Sequence, residues 1–147
     1  MSVSISFSIT GDKQLARKLS SIGSKLDDFS SPLQKAKNLM LEGIEKQHSS
    51  SGSEFGNSFS ALSPRYSAIK AKRWGNQPIL TASGKMRKGY SSSVGRTQAV
   101  IWNKVSYFQF HHTGTDKMPK RKVFVISPKY QKDIVKIFED YISKSIK

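Results

Sequence analysis

The sequence predicts an α+β fold: one small antiparallel β-sheet packed against N-terminal and C-terminal α-helices in a single domain. Three observations point there. Read along the chain, the elements run β-α-α-α-(α)-β-β-α-β-α, and the adjacent strand pattern at residues 90–103 suits an antiparallel hairpin. The 147 residues contain no internal repeat, and one domain is the default at that length. The hydrophobic fraction is 36%, and eight Phe, five Tyr and two Trp supply bulk for a modest core, far more than a disordered chain carries.

Val3, Ile5, Phe7 and Ile9 alternate with Ser2, Ser4, Ser6, Ser8 and Thr10, so the first element reads as a strand with one face buried and one face of hydroxyls. Gly11-Asp12 ends it, and the Asp12 carboxylate is placed to cap a helix carrying Leu15, Leu19 and Ile22, with Gly23 as its stop. Ser31-Pro32 starts the next helix, with serine at the N-cap and proline at the first helical position, where no N–H is required. Its apolar stripe is Leu33, Ala36, Met40, Leu41 and Ile44, and it runs to about His48. The small, polar residues 49–60 read as a flexible loop with two aromatic anchors, Phe55 and Phe59. Ser63-Pro64 repeats the helix-start signature for a short helix to about Trp74, closed by Gly75. Pro78-Ile79-Leu80 reads as extended, and Thr81 to Met86 opens a further short helical segment. Residues 90–95 and 98–103 form two strands joined near Gly95-Arg96, with Val100 and Trp102 on one face. Tyr107 to His112 is a short aromatic element, and residues 113–122 are a flexible, basic loop. Val123 to Ile126 reads as a short buried strand. After Ser127-Pro128, the last helix carries Tyr130, Ile134, Ile137, Phe138, Tyr141 and Ile142 on one face.

The 25 Lys and Arg against 10 Asp and Glu give a net charge of +15, unevenly placed. The first 54 residues contain seven bases and six acids. Between Glu54 and Asp116 there is no carboxylate at all, yet that stretch holds Arg65, Lys70, Lys72, Arg73, Lys85, Arg87, Lys88, Arg96 and Lys104. Ordinary surfaces mix both signs. An acid-free basic stretch favours polyanions through Coulomb attraction and counterion release, or an acidic protein partner. Arg65, Lys70, Lys72, Arg73, Lys85, Arg87, Lys88 and Arg96 are therefore candidate contacts to DNA in a channel or to an acidic partner.

Several chemistries are excluded or disfavoured. With no cysteine there are no disulfides, thiol nucleophiles or thiolate metal sites. No apolar run is long enough to span a membrane, and Met1-Ser2-Val3-Ser4 lacks the basic and apolar regions of a secretory signal, so synthesis in the cytoplasm is expected. The acid-free stretch has no carboxylates for two-carboxylate hydrolysis or for magnesium-dependent nuclease chemistry. The histidines are His48, His111 and His112. Neighbouring histidines on a helix point about 100° apart, which is poor zinc geometry. Phosphate-loop, dinucleotide and nucleophile-elbow motifs are missing. Ser83-Gly84-Lys85 is a short basic turn that could hold a phosphate or be a plain turn. A helix-turn-helix reading of Pro64 to Trp74 lacks an Asn/Gln-rich base-reading set. No catalytic residue, metal or cofactor is expected.

Three local pieces then stand in order. They are Phe59-Ser60-Ala61-Leu62-Ser63-Pro64 followed by Lys70; Ile79-Leu80-Thr81-Ala82-Ser83-Gly84-Lys85-Met86; and Tyr107 through His111-His112-Thr113-Gly114, continuing to Met118-Pro119-Lys120-Arg121 and Val123-Phe124 before the terminal amphipathic helix. Over roughly residues 40–147 this resembles the phage virion-morphogenesis family, the tail-completion proteins of Mu-like and related tailed phages. Family members often carry Trp where Phe59 stands, and Leu after the glycine where Lys85-Met86 stand. The resemblance implies a non-enzymatic virion protein of the neck, a tail-completion or tail-terminator component, assembled in the host cytoplasm. It implies a homo-oligomeric ring, a hexamer, that caps the tail tube, meets the tube protein and the head–tail connector or stopper proteins, and surrounds DNA without reading bases. It also implies roles for residues. Leu80, Met86, Trp102, Tyr107, Phe124, Ile134 and Phe138 are expected in the core. Phe55, Phe59, His111, His112, Pro119 and Arg121 are expected at a subunit interface or in a loop brace, with Arg121 bonding carboxylates or carbonyls. The alternative reading is a small, non-specific nucleic-acid-binding protein; a histidine-based nuclease or toxin-like enzyme is a third.

Overall fold

The computed structural model describes residues 4–8 and 28–146. The expected helix from Asp12 to Gly23, and the alternating positions Val3 and Ile9, lie outside them. The described elements are β1 (Ser4–Ser8), α1 (Ser30–Ser49), α2 (Pro64–Trp74), α3 (Lys85–Lys88), β2 (Tyr90–Val94), β3 (Gln98–Asn103), α4 (Phe108–Thr113) and α5 (Pro128–Ile146). The architecture is α+β, as predicted: an antiparallel sheet in the order β1-β3-β2, with α1 packed on β2 and β3 and touching α5.

The central strand β3 buries Ala99, Ile101 and Asn103 and leaves Val100 and Trp102 half-buried on its other face. Val100 and Trp102 share a face as expected, but Trp102, expected in the core, lies on the less buried side. Ala-Val-Ile-Trp is apolar throughout, so alternation cannot fix the phase; the partners do. Val100 lies opposite Ser6 and Ser93 and Trp102 opposite Ser4 and Ser91, so that face is lined by serine positions. Asn103 belongs to the buried face because its amide is satisfied there, donating to the Met86 carbonyl at 2.7 Å and accepting from the Val105 N–H at 2.9 Å.

Helix α1 begins two residues earlier than predicted. Phe29 is its N-cap, and the Asp28 carboxylate accepts from the Ser30 N–H at 2.8 Å, the capping bond the sequence had assigned to Ser31. Leu33, Ala36, Met40 and Ile44 are buried as expected. Gly43 lies on the same helix because the ring of Tyr130 crosses there: a β-carbon at position 43 would sit 2.7 Å from that ring. Tyr130 is fixed in turn by a 2.7 Å hydrogen bond to Glu54 and an edge contact with Phe55.

The core forms two clusters. The larger gathers Met40, Ile44, Phe55, Phe59, Met86, Ile101, Phe108, Val123, Phe124 and Tyr130; the smaller joins Phe29, Leu33 and Ala99 with the α5 side chains Phe138, Tyr141 and Ile142. Met86 and Phe124 are core residues as expected, while Leu80, Trp102, Ile134 and Phe138 are half-buried. Tyr107 is not a core residue: it is 41% exposed, and the buried ring beside it is Phe108. Where the sequence suggested a polar flexible loop over 49–60, the chain makes successive turns closed by Gly52 N–H to Gln47 carbonyl and Phe59 N–H to Ser51 carbonyl bonds. Its two rings, Phe55 and Phe59, anchor the loop in the core. Val123 and Phe124 are buried and Val125 and Ile126 half-buried, but the segment forms no strand; the carbonyl before it, on Lys122, accepts from the Gln47 and Asn57 side-chain amides instead of a ladder. Among the described residues no helix is long and apolar enough to cross a membrane.

Candidate binding cleft

A cleft of about 760 Å³ opens between α2, the segment 80–86, the start of α4 and the loop 117–121. Each wall has a local cause. Helix α2 starts where the Ser63 hydroxyl accepts from the Tyr66 N–H and Pro64 opens the first turn, and it stops at Gly75, whose φ of 75° suits glycine. Tyr66, Lys70 and Trp74 recur every four residues and so share the face toward the cleft. The only buried side chain on α2 is Lys70, 4% exposed; Tyr66 and Ile69 are 43% and 50% exposed. An isolated helix of this length is marginal in water. Lys70 anchors it: its ammonium donates to the Gln77 and Pro78 carbonyls at 2.5 and 2.6 Å.

That anchor also explains why Pro78 to Leu80 is a turn and not extended. Lys70 gathers the carbonyls of Gln77 and Pro78, the Ser51 hydroxyl takes the Ile79 N–H, and Thr81 N–H closes back on the Pro78 carbonyl at 3.0 Å. Leu80 is thereby held at a φ of 64°, a region that favours glycine. It lines the cleft together with Thr81, whose hydroxyl is buried and has no hydrogen-bond partner. The opposite wall is locked by Arg121, 6% exposed, which donates to the Ser60 and Ala61 carbonyls at 2.9 and 3.0 Å. Arg121 is thus a brace within the chain, joining the loop 117–121 to the entry of α2. Burial lowers the pKa of both Lys70 and Arg121, and among the described residues neither forms an ion pair with a carboxylate.

The other predicted site residues are dispersed. Lys85 is exposed at the cleft; Arg65, Lys72, Arg73, Lys88 and Arg96 are exposed outside it, with the Arg73 guanidinium 4.7 Å from the centre of the Trp74 ring. Two members of the predicted basic set are engaged internally and do not present free charge: Lys70, as described, and Arg87, which pairs with Glu45 and donates to the Ser49 hydroxyl at 2.9 Å. His111 lines the cleft and His112 stacks on Phe108; both are half-buried, with pKa values lowered chiefly by burial. Pro119 is exposed on the rim.

Tyr66 and Trp74 were not singled out from the sequence, although the four-residue spacing of Tyr66, Lys70 and Trp74 was legible, and Thr81 and Met118 stood out only as members of the family-like pieces. Among the described residues no carboxylate lines the cleft, and no group of three or more His, Asp or Glu is placed to hold a metal. The surface suits binding through aromatic and aliphatic side chains, with positive charge at its edge. Compared with protein-family models, curated proteins and solved structures, the chain finds no significant match.

Proposed function

We propose that this chain is a structural subunit of a tailed-phage neck, of the tail-completion or tail-terminator kind, which assembles as a ring at the head-proximal end of the tail tube and acts by binding, not catalysis. The observation that carries the reading is convergence. The three pieces that resemble the virion-morphogenesis family stand apart in the sequence, yet Leu62 and Lys70 of the first, Leu80 to Met86 of the second, and Tyr107, Met118 and Arg121 of the third all line one cleft. Pieces that share only a core would not gather around an open surface. Helix α2 adds support, because it leaves Tyr66 and Ile69 exposed, as an element waiting for a neighbouring subunit would. Its partners in this reading are further copies of the chain, the tail-tube protein and the connector or stopper proteins, with DNA passing through the ring and the virion as its location.

The test is electron microscopy and native mass measurement of the purified protein, alone and with tail tubes. A closed ring, or a cap at one end of the tubes, is expected; a strict monomer that never decorates tubes overturns the reading. The exposed cations Arg65, Lys72, Lys88 and Arg96, set in a stretch without acids, favour a second reading, a non-specific nucleic-acid binder. It requires DNA retention that weakens steeply with salt in the absence of any ring.

A further inference from the structure

We propose that the cleft is a docking slot for an acidic peptide segment of a neighbouring protein, which inserts an aromatic or branched apolar anchor under α2 and sets its carboxylates against Lys85 and Lys117. The inference takes its setting from the assembly reading above, but the slot's chemistry stands on its own residues.

Size and lining come first. About 760 Å³ falls within the range of ligand pockets, roughly 300–1,000 Å³. Its walls offer Tyr66, Trp74 and Tyr107 as aromatic surface, with Leu80, Met86 and Met118 between them. Methionine is unbranched and adapts to the shape of an inserted side chain. Tyr66 and Tyr107, both lining the cleft, stand 43% and 41% exposed, apolar bodies left in water that an inserted anchor would cover.

Charge decides what the anchor must carry. Lys85 and Lys117 line the cleft and are exposed, and among the described residues no Asp or Glu lines it. A basic segment would meet only repulsion, whereas an acidic one is complementary. The two buried cations argue against a nucleic-acid strand. Lys70 and Arg121 already donate to backbone carbonyls, so the polar heads nearest the floor are committed within the chain, and the exposed remainder is mostly apolar. Strand binding relies instead on a positively charged groove that tracks successive phosphates.

A third observation points to a ligand with its own backbone. The Thr81 hydroxyl is buried and unpartnered, on the residue that follows the left-handed Leu80. A buried polar group without a partner destabilises the fold until something supplies its hydrogen bond. A peptide group entering the slot supplies both a donor and an acceptor for it, which an apolar small molecule does not.

The experiment is a selection from a random twelve-residue displayed peptide library on the purified full-length protein, counter-selected on Tyr66→Ala/Tyr107→Ala. Both tyrosines are exposed, so this variant should keep the wild-type melting temperature. Enrichment of peptides that combine Asp or Glu with Phe, Trp or Leu is expected. Binding of a selected, fluorescently labelled peptide should weaken about tenfold or more in either single tyrosine variant. Lys85→Glu/Lys117→Glu should reverse the charge preference. Failure to enrich any peptide, enrichment of basic peptides, or binding indifferent to these substitutions overturns the proposal. Tighter cleft-dependent binding of an oligothymidylate than of any selected peptide overturns it in favour of nucleic acid. A ring that forms while no peptide is selected removes the slot and keeps the assembly reading; selected peptides with no ring do the reverse.

Discussion

His48 is fully buried on α1, with its Nε2 2.7 Å from the Tyr90 hydroxyl and its Nδ1 without a partner. Burial, with Arg87 adding to it and Glu45 opposing, brings the imidazole pKa down to about 4, and burial pushes the Tyr90 phenol up, so the pair is neutral in the folded protein. The sign follows from linkage: the folded pKa lies below the unfolded value of 6.5, so the stability is complete above pH 6.5 and is lost as pH falls toward 4. His111 and His112, also lowered, act in the same direction. Urea unfolding should show a loss of about 3 kcal/mol from His48 between pH 7 and pH 4. His48→Asn, which cannot titrate, should flatten most of that slope. Lys70 gives a second test at this scale. Lys70→Met removes both carbonyl bonds and should destabilise by about 1–3 kcal/mol, whereas Lys72→Met on the exposed side should change stability by less than about 0.5 kcal/mol. Thermal melts of the two variants side by side check it. A lysine in a basic run looked like a contact to a polyanion; only its fold-back onto carbonyls seven and eight residues away shows it to be an anchor.

At the scale of elements, what was legible was what local chemistry determines. Ser63-Pro64 and Gly75 bounded α2 correctly because capping depends on neighbours within one turn. The strands 90–94 and 98–103 were placed because a short loop joins them, and Gly95 N–H closes on the Gln98 carbonyl. What failed depended on distant partners. The phase of β3 turned on serines in other strands and on Asn103 meeting Met86. Residues 123–126 have strand composition, but side-chain amides occupy the carbonyl ahead of them. Leu80 adopts a backbone region that its own side chain disfavours by roughly 1–2 kcal/mol, and the bonds from Lys70 and Ser51 impose it. Of the cleft, Lys70, Lys85 and the Arg121 brace were legible, and the aromatic lining was not, because Tyr66 and Trp74 on α2 meet Tyr107 from a distant segment. The α1–α5 crossing makes a further test. In an exposed helix Gly→Ala stabilises by about 1 kcal/mol. At Gly43 the new methyl would lie 2.7–2.9 Å from the Tyr130 ring, which Glu54 and Phe55 hold in place. Gly43→Ala should therefore destabilise by about 1–3 kcal/mol in chemical denaturation. Pairing it with Tyr130→Leu, which removes the obstructing ring end, should recover part of that loss.

Over the whole molecule, the charge of +15 divides into two populations with different work. Lys70, Arg87 and Arg121 are tied to carbonyls or to Glu45 and hold the fold together. Arg65, Lys72, Lys88 and Arg96 are exposed and carry no structural bond to a carboxylate among the described residues. Arg65 and Lys72 are seven residues apart on α2, hence on one side of it, with the exposed Ile69 between them. In the ring reading this side meets DNA in the channel or an acidic neighbour, and neither role involves base recognition. Arg65→Glu/Lys72→Glu should leave the melting temperature and the peptide slot unchanged, since both side chains lie outside the cleft. If the side faces DNA, each lost phosphate contact removes about 0.9 from the slope of log affinity against log salt, so the double variant should lower the slope by about 2. Retention of duplex DNA measured from low to moderate salt reads that slope directly. A slope equal to that of the wild type, in a variant that still forms rings, assigns this side of α2 to a protein neighbour and leaves Lys88 and Arg96 as the cations that face the channel.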